Sequence, residues 1–153
     1  MKKIIYCLLA MVVLWSCGGS ASGDADASAD TPPAAAPKAD DGKGVGEITS
    51  VKLNNPLDDA MVKRGEAIFD MKCSACHRLT AQRVVGPGFL GVTDRRKPEW
   101  IMNMITNVEV MLEKDPAAQA LLEECLTRMP NQNVSIGDAR DVLEFFLHND
   151  EGK

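Results

Sequence analysis

Apolar residues recur at helical spacing along the chain from about Asp58 onward. Between Asp58 and Lys72 they follow a broken helical rhythm, which no proline and only one glycine interrupt. Three later segments repeat the rhythm, and their apolar positions are Trp100, Ile101, Met104, Ile105 and Val108; Leu121, Leu122 and Cys125; and Ile136, Ala139, Val142, Leu143 and Phe146. No segment alternates polar and apolar residues as a half-buried strand does. The pattern predicts an all-α domain of about four to five helices.

Residues typical of helix ends support these boundaries. Pro98 and Pro116 suit the first turn of a helix, where a missing backbone N–H costs nothing. Ser135, followed three residues later by Asp138, is typical of a helix N-cap. The segment 78–93 contains three glycines and a proline, so it cannot continue the first helix and is predicted to be a loop.

The first predicted helix runs into a Cys-x-x-Cys-His motif formed by Cys73, Cys76 and His77. On one helical turn the two thiols project to the same side, where they can add to the two vinyl groups of one porphyrin and leave His77 under the iron. A thioredoxin-like dithiol or half of a zinc site are the alternatives. A dithiol of that kind expects a βαβ setting, and zinc needs a second ligand pair, for which only His148 and Cys125 remain downstream. The motif therefore predicts one covalently bound haem c.

Met129 is the candidate for the second axial iron ligand. It lies in a polar stretch between two predicted helices, where a thioether has no obvious core to fill, and Pro130 keeps it out of helical geometry. A loop of this kind can reach over the open face of the haem. His148 as ligand, or an open position, are the alternatives. A His and Met pair raises the iron potential and leaves no place for substrate, which suits electron transfer rather than catalysis.

The N-terminus has the pattern of an export signal. Two lysines precede an apolar run, 4–14, that is too short to span a bilayer. The residues before Cys17 resemble a bacterial lipobox, so we expect residues 1–17 to be a signal peptide and Cys17 to be lipidated. Simple cleavage near this point is the alternative. Either outcome implies export, and lipidation implies an anchor on the periplasmic side of a bacterial membrane.

Residues 18–55 are dominated by Ala, Ser, Gly, Pro and Asp and are predicted to be a flexible linker. Such a composition buries too little apolar surface to offset the entropy of ordering the chain. The remaining residues, 56–153, are then one small domain. Because so short a chain buries a modest fraction of its surface, a covalently held macrocycle would supply part of its core.

Acidic residues outnumber basic ones along the chain, 22 to 17, which argues against a nucleic-acid partner. The basic residues that do cluster are Arg95, Arg96 and Lys97, with Arg78 and Arg83 beside the Cys-x-x-Cys-His motif. This cluster is either a docking surface or a solvated face.

Taken together, these motifs resemble class I monohaem cytochromes c from about Asp58 to His148. Gly65 and Phe69 match the N-terminal helix of that family, in which the glycine permits close crossing by the C-terminal helix. Residues 142–147, with Phe145 or Phe146 at the aromatic position, resemble that partner helix. Cys125 is not part of the family pattern and is predicted to be a buried packing thiol.

The resemblance implies roles for further residues. The Gly-Pro pair ending at Pro87 implies that the Pro87 carbonyl accepts a hydrogen bond from His77 Nδ1. The Met-Pro pair beginning at Met129 matches the distal-ligand dipeptide. Trp100 resembles the tryptophan that lies near a haem propionate in the family, and a simple core position is the alternative.

The function implied by the resemblance is single-electron transfer, not enzymatic catalysis. The expected partners are a quinol-oxidising complex as donor and a terminal oxidase or reductase as acceptor, and the carrier is expected to be a monomer. Residues 98–104 and 131–133 are similar to monohaem cytochromes of nitrous oxide reductase gene neighbourhoods, which bears on the acceptor. The alternatives are a haem peroxidase subunit, which requires an open iron position, and a gas or redox sensor with a displaceable distal ligand.

Overall fold

The computed structural model describes residues 41–152. The predicted signal peptide with Cys17, and the predicted linker as far as residue 40, lie outside this range. Within it there are six helices and no strand: α1 Asp59–Lys72, α2 Val92–Arg95, α3 Pro98–Thr106, α4 Val108–Lys114, α5 Pro116–Cys125 and α6 Ile136–Glu151. The all-α prediction is confirmed. The helix count is higher because the predicted loop contains the short α2 and because the helix that begins at Pro98 is interrupted at Asn107.

The helices begin where the sequence indicates. Asp58 caps α1 with a carboxylate that accepts hydrogen bonds from two backbone N–H groups of the first turn, and the Ser135 hydroxyl accepts from Asp138 N at 3.1 Å. Pro98 and Pro116 occupy the first turns of α3 and α5. These caps satisfy N–H groups that have no partner inside a helix.

The helices α1 and α6 cross at Gly65. A Cβ atom placed on this residue would lie 2.1 Å from the backbone oxygen of Asp141 and 2.8 Å from the Phe145 Cβ, so only glycine allows the approach. Beside the crossing, the Arg64 guanidinium donates two hydrogen bonds to the Asp141 carboxylate, at 2.7 and 2.8 Å. The role predicted for Gly65 is confirmed.

All four phenylalanines of the chain gather next to this crossing. The ring of Phe69 in α1 lies 5.7 Å from that of Phe145 and 6.1 Å from that of Phe146, both in α6. Phe89, from the loop after α1, lies 4.7 Å from Phe146. The rings meet at tilted or edge-to-face angles, which aromatic pairs prefer. The cluster joins the loop after α1 to the α1 and α6 pair.

Residues 41–55, predicted to be flexible linker, instead pack on the helical domain, and we call them the strap. The side-chain amide of Asn103 in α3 is 1% exposed, donates to the backbone oxygens of Lys43 and Ile48 at 3.1 and 2.9 Å, and accepts from Ile48 N at 3.2 Å. Ile48 itself is buried. The predicted boundary at residue 55 is therefore too late, because one buried amide orders a segment that has few apolar side chains of its own.

Glu144 in α6 holds the far end of the strap. Its carboxylate is 0% exposed and accepts hydrogen bonds from Asp58 N at 2.8 Å, Asn54 Nδ2 at 3.0 Å and the Arg140 guanidinium at 2.5 Å. Burial works to raise the pKa of Glu144, but these hydrogen bonds and the Arg140 charge outweigh it and hold the pKa below its ordinary value. One buried charge thus connects the strap, the start of α1 and α6.

We expect Glu144→Gln to lower the free energy of unfolding by about 3 kcal/mol at pH 7, because it leaves buried donors without a charged acceptor. Since the folded-state pKa of Glu144 is depressed, its carboxylate stabilises the native state above the unfolded-state pKa, and this contribution is lost as pH falls through the folded-state value. Between about pH 5 and pH 3, where glutamate side chains ordinarily titrate, the variant should therefore lose less stability than the wild type. Urea denaturation at a series of pH values measures both effects.

The exposed Glu109 supplies the matched control, and Glu109→Gln should reproduce the wild-type curve. Equal pH slopes for the wild type and the Glu144→Gln variant would contradict the assigned role.

Candidate functional site

A cavity of about 360 Å³ lies between the loop after α1, the helix α3, the end of α5 and the segment that follows α5. Its walls are mostly apolar and include five of the six residues predicted to bind or contact a haem, namely Cys76, His77, Pro87, Trp100 and Met129. The sixth, Cys73, is half-buried and packs against the core next to this cavity wall. The structure thus brings the predicted ligands of both iron faces to one cavity.

The Cys-x-x-Cys-His motif follows directly on α1. Cys73 is the C-cap of the helix, and its backbone oxygen accepts from Cys76 N at 3.1 Å and from His77 N at 3.0 Å. These bonds keep the motif in a single turn. Burial raises the pKa of the Cys73 thiol to about 11, against the opposing charge of Lys72, so the thiol is protonated at neutral pH.

The ring of His77 is held in one orientation and one tautomer. Its Nδ1 lies 2.9 Å from the Pro87 carbonyl oxygen, and because a carbonyl only accepts, Nδ1 carries the proton. Burial lowers the pKa of His77, although the bond to Pro87 opposes this, so the ring is neutral and Nε2 keeps its lone pair. The hydrogen bond predicted between His77 and Pro87 is present. The arrangement leaves Nε2 available to bind a metal.

Two further contacts fix the plane of the ring. Phe89 stacks on His77 with the ring centres 4.4 Å apart and the planes 13° apart. A Cβ atom on Gly86 would lie 2.3 Å from His77 Cε1, so glycine is required there for packing against the ring. The sequence pointed to the Gly-Pro pair but not to Phe89, whose position in an irregular loop gives no periodic signal.

The loop that carries these contacts is fastened to the end of α6. Both carboxylate oxygens of Asp150 accept hydrogen bonds, one from Gly91 N at 2.6 Å and the other from Thr93 N and Oγ1 at 2.9 and 2.6 Å. Gly91 has a φ of +71°, a conformation in which glycine is unstrained. The proximal loop is thus anchored at both ends, by the motif itself and by α6.

Met129 is half-buried in the wall of the same cavity, as is Cys125. Cys125, predicted to be a buried packing thiol, is half-buried and faces this cavity. Leu121, Leu122 and Cys125 share one face of α5 as the spacing indicated, but all three line the cavity. Helical spacing alone does not distinguish a face that meets the core from one that meets a cofactor cavity.

Trp100 is buried and lines the cavity, and its indole Nε1 donates to Asp115 Oδ1 at 2.9 Å. Because the N–H group is used in this way, a haem propionate would have to be met by other groups. Arg95 and Arg96 line the same cavity, and the Arg96 guanidinium lies 4.7 Å from the centre of the Trp100 ring. The sequence placed these arginines in a surface cluster and did not connect them with the cavity.

The described part of the chain contains no group of three or more His, Cys, Asp or Glu side chains placed to hold a metal ion. Among its helices, none has the length and apolar character needed to cross a membrane.

Comparison with known proteins gives a consistent family. The cytochrome c family model matches residues 62–150, more than half of the chain. A cytochrome c-553-like protein of Synechocystis sp. is 36% identical over 44 residues, which are 29% of this chain and 42% of that protein. The chain thus spans less than half the length of this curated relative.

Solved structures give the same family. A cytochrome c from Rhodothermus marinus is 35% identical, with a TM-score of 0.69, and the match covers 71% of this chain and 92% of that one. An engineered cytochrome c from Rhodothermus marinus, bound to a carbene intermediate, is 36% identical, with a TM-score of 0.64 and coverage of 69% and 91%.

We expect Gly86→Ala to disturb the His77 site selectively. The new Cβ would lie 2.3 Å from His77 Cε1 and 2.7 Å from Nδ1, so either the ring or the loop must move and the bond to Pro87 weakens. The expected result is less covalent haem per chain and a changed reduction potential in what is recovered. Absorbance of the haem relative to total protein, and a redox titration, measure these effects.

Gly137→Ala is the matched control, because a Cβ there meets nothing closer than Ser135 Oγ at 3.8 Å. If both alanine variants behave like the wild type, the close packing of Gly86 against the ring has no bearing on the site.

Proposed function

The chain belongs to the cytochrome c family of electron carriers, and we propose that it is a membrane-tethered member whose iron is bound by His77 and Met129. The family implies a covalently bound haem c, which supplies a one-electron Fe(III)/Fe(II) couple. The observation that carries the proposal is the fixed, neutral ring of His77 in the wall of a cavity that Met129 also lines.

The residues around the cavity fit a haem. Cys73 and Cys76 lie on a single turn and are free thiols, as thioether attachment requires. The imidazole nitrogen and the thioether sulfur are a known axial pair for haem iron, and the walls between them are largely apolar. A buried, apolar site with both axial positions filled favours electron transfer over reactions that need substrate at the iron.

Arg95 and Arg96 are the residues we propose to meet the haem propionates. Both line the cavity, and they are two of its few charged side chains. Arg95 also donates to the backbone oxygens of Leu90 and Gly88, which keeps its guanidinium close to the cavity wall. Two arginines near two carboxylates lower the cost of placing charge beside an apolar cavity.

The anchor and the partners are the further parts of the proposal. A lipid on Cys17 would hold the protein on the periplasmic side of a bacterial membrane, with the residues before the strap as tether. A quinol-oxidising complex would supply electrons, and a terminal oxidase or a reductase of the nitrous oxide reductase type would accept them. The cluster of Arg95, Arg96 and Lys97 remains a candidate docking surface, although Lys97 Nζ also donates to Asp41 O at 2.6 Å.

We expect the full chain, produced in a host that matures c-type haem, to show a low-spin spectrum with the far-red sulfur-to-iron band in its oxidised form. Met129→Ala should remove this band, lower the reduction potential and make the iron accessible to carbon monoxide. Visible spectroscopy of both oxidation states and a redox titration are the measurements.

Met71→Ala is the control, because Met71 is 76% exposed and lies close to the motif in sequence but away from the cavity. A wild-type spectrum that is already high-spin, and that shifts with added cyanide, would replace the proposal with the peroxidase or sensor alternative. Absence of covalent haem would contradict it altogether.

The anchor has its own test. Cys17→Ser should move the protein from the membrane fraction to the soluble periplasmic fraction, since the acyl chains are lost with the thiol. Cell fractionation followed by mass spectrometry of the mature N-terminus measures this. A wild-type protein that is soluble and unacylated would contradict the proposed lipid anchor while leaving the haem proposal intact.

A further inference from the structure

The strap, residues 41–55, lies behind one wall of the cavity. We propose that it positions this wall relative to the haem, and that Asn103 is the positioning residue that fastens it. The inference rests on the proposed function, because it concerns the properties of the haem iron. Of the described residues that line the cavity, none belongs to the strap, so any effect of the strap must pass through the helices that it touches.

The side chain of Asn103 forms hydrogen bonds with backbone groups of the strap on both sides of a tight bend. Its amide contacts the oxygens of Lys43 and Ile48 and the N–H of Ile48, and it is almost completely buried. A Cβ atom on Gly46 would lie 2.2 Å from Asn103 Oδ1, so glycine is needed for the strap to reach the amide. Asn107 adds a fourth bond, from Nδ2 to Val45 O at 3.2 Å.

Within this bend, the strap packs against a residue of the cavity wall. Gly44 has a φ of +76°, and a Cβ placed on it would lie 3.2 Å from Trp100 Cδ1 and 2.7 Å from Met111 Sδ. Trp100 lines the cavity, and so does Leu112, the neighbour of Met111 in α4. The strap backbone therefore packs against Trp100, which itself lines the cavity, and against Met111, whose neighbour Leu112 lines it.

The other end of the strap is held by α6. The Arg140 guanidinium donates to Lys52 O at 3.2 Å, and the buried carboxylate of Glu144 accepts from Asn54 Nδ2 at 3.0 Å. Because α6 also crosses α1, this end belongs to the part of the domain that carries His77. The strap thus spans from the helix pair that positions His77 to the helices α3 and α4, which contribute Trp100 and Leu112 to the cavity wall.

Such a link adds to the direct packing of α3 on α6 and supports the cavity wall at Trp100 from behind. If the strap is released, α3 loses its backing at Trp100, and the wall of the cavity relaxes without any change in a residue that touches the haem. Because packed walls control solvent access and polarity around haem iron, the reduction potential reports this relaxation.

The test compares haem-loaded full-length protein with Asn103→Ala. Loss of the buried hydrogen bonds should speed amide hydrogen exchange at Ile48 about 10- to 100-fold. The same variant should shift the midpoint potential and weaken the far-red sulfur-to-iron band, although Asn103 lies outside the cavity wall. Gly46→Ala disrupts the same contact from the side of the strap and should give the same shifts. In the double variant, the shift in potential should be no larger than in either single variant.

Gly137→Ala is the control for both exchange and potential, because the new Cβ would meet only Ser135 Oγ, at an ordinary contact distance of 3.8 Å. Should Asn103→Ala fail to fold, Asn107→Ala removes a single half-buried bond and provides a milder release. Fast exchange at Ile48 with an unchanged potential would overturn the proposal, and so would a wild-type Ile48 amide that is already unprotected. A wild type without the far-red band would count against Met129 ligation instead, while the potential still reports on the strap.

Discussion

The contact on which the rest of the structure depends is the approach of α1 to the Asp141 backbone oxygen at Gly65. Gly65 lets the two helix backbones come closer than a side chain at this position would allow. Beside the crossing, the ion pair of Arg64 and Asp141 holds α1 and α6 together. Because the motif follows α1 without a break, the position of this crossing sets the position of His77. The cluster of phenylalanines connects this crossing to the loop after α1, because Phe89 of that loop packs on Phe69 and Phe146 and stacks on the His77 ring.

Buried polar groups act together with the apolar core to connect the remaining parts of this small domain. Asn103, Asp115, Asp141 and Glu144 are all buried, and each accepts or donates hydrogen bonds across elements that are distant in the sequence. No buried side-chain nitrogen or oxygen of the described residues lacks a partner. A domain of this size has limited apolar surface to bury, so satisfied polar contacts of this kind supply specificity that a larger core would otherwise provide.

Much of the fold and of the site followed from local sequence signals. Caps and prolines located the helix starts, since their effect depends on the adjacent backbone alone, and the spacing of Cys73, Cys76 and His77 identified the cofactor. The strap was missed because much of its order comes from Asn103 and Glu144, side chains about 55 and 90 residues away in the sequence, rather than from its own composition. The place of Cys125 and Arg96 in the cavity wall did not follow from the sequence, because neither helical spacing nor charge clustering tells what a face of the chain meets.

The two sides of the cavity differ in how they are held. On the proximal side, His77 is bonded to Pro87, stacked on Phe89 and tied through the loop to α6. The distal segment begins at Leu126, whose side chain is 88% exposed and whose backbone has a φ of +54° that favours glycine. Iron ligation by Met129, as proposed, would close this segment as a crosslink does, in addition to the hydrogen bond that Lys72 Nζ donates to Gln132 O at 3.0 Å. Heat would then break the sulfur–iron bond before it disturbed the imidazole, because the contacts of His77 with Pro87 and Phe89 hold the ring independently of the metal.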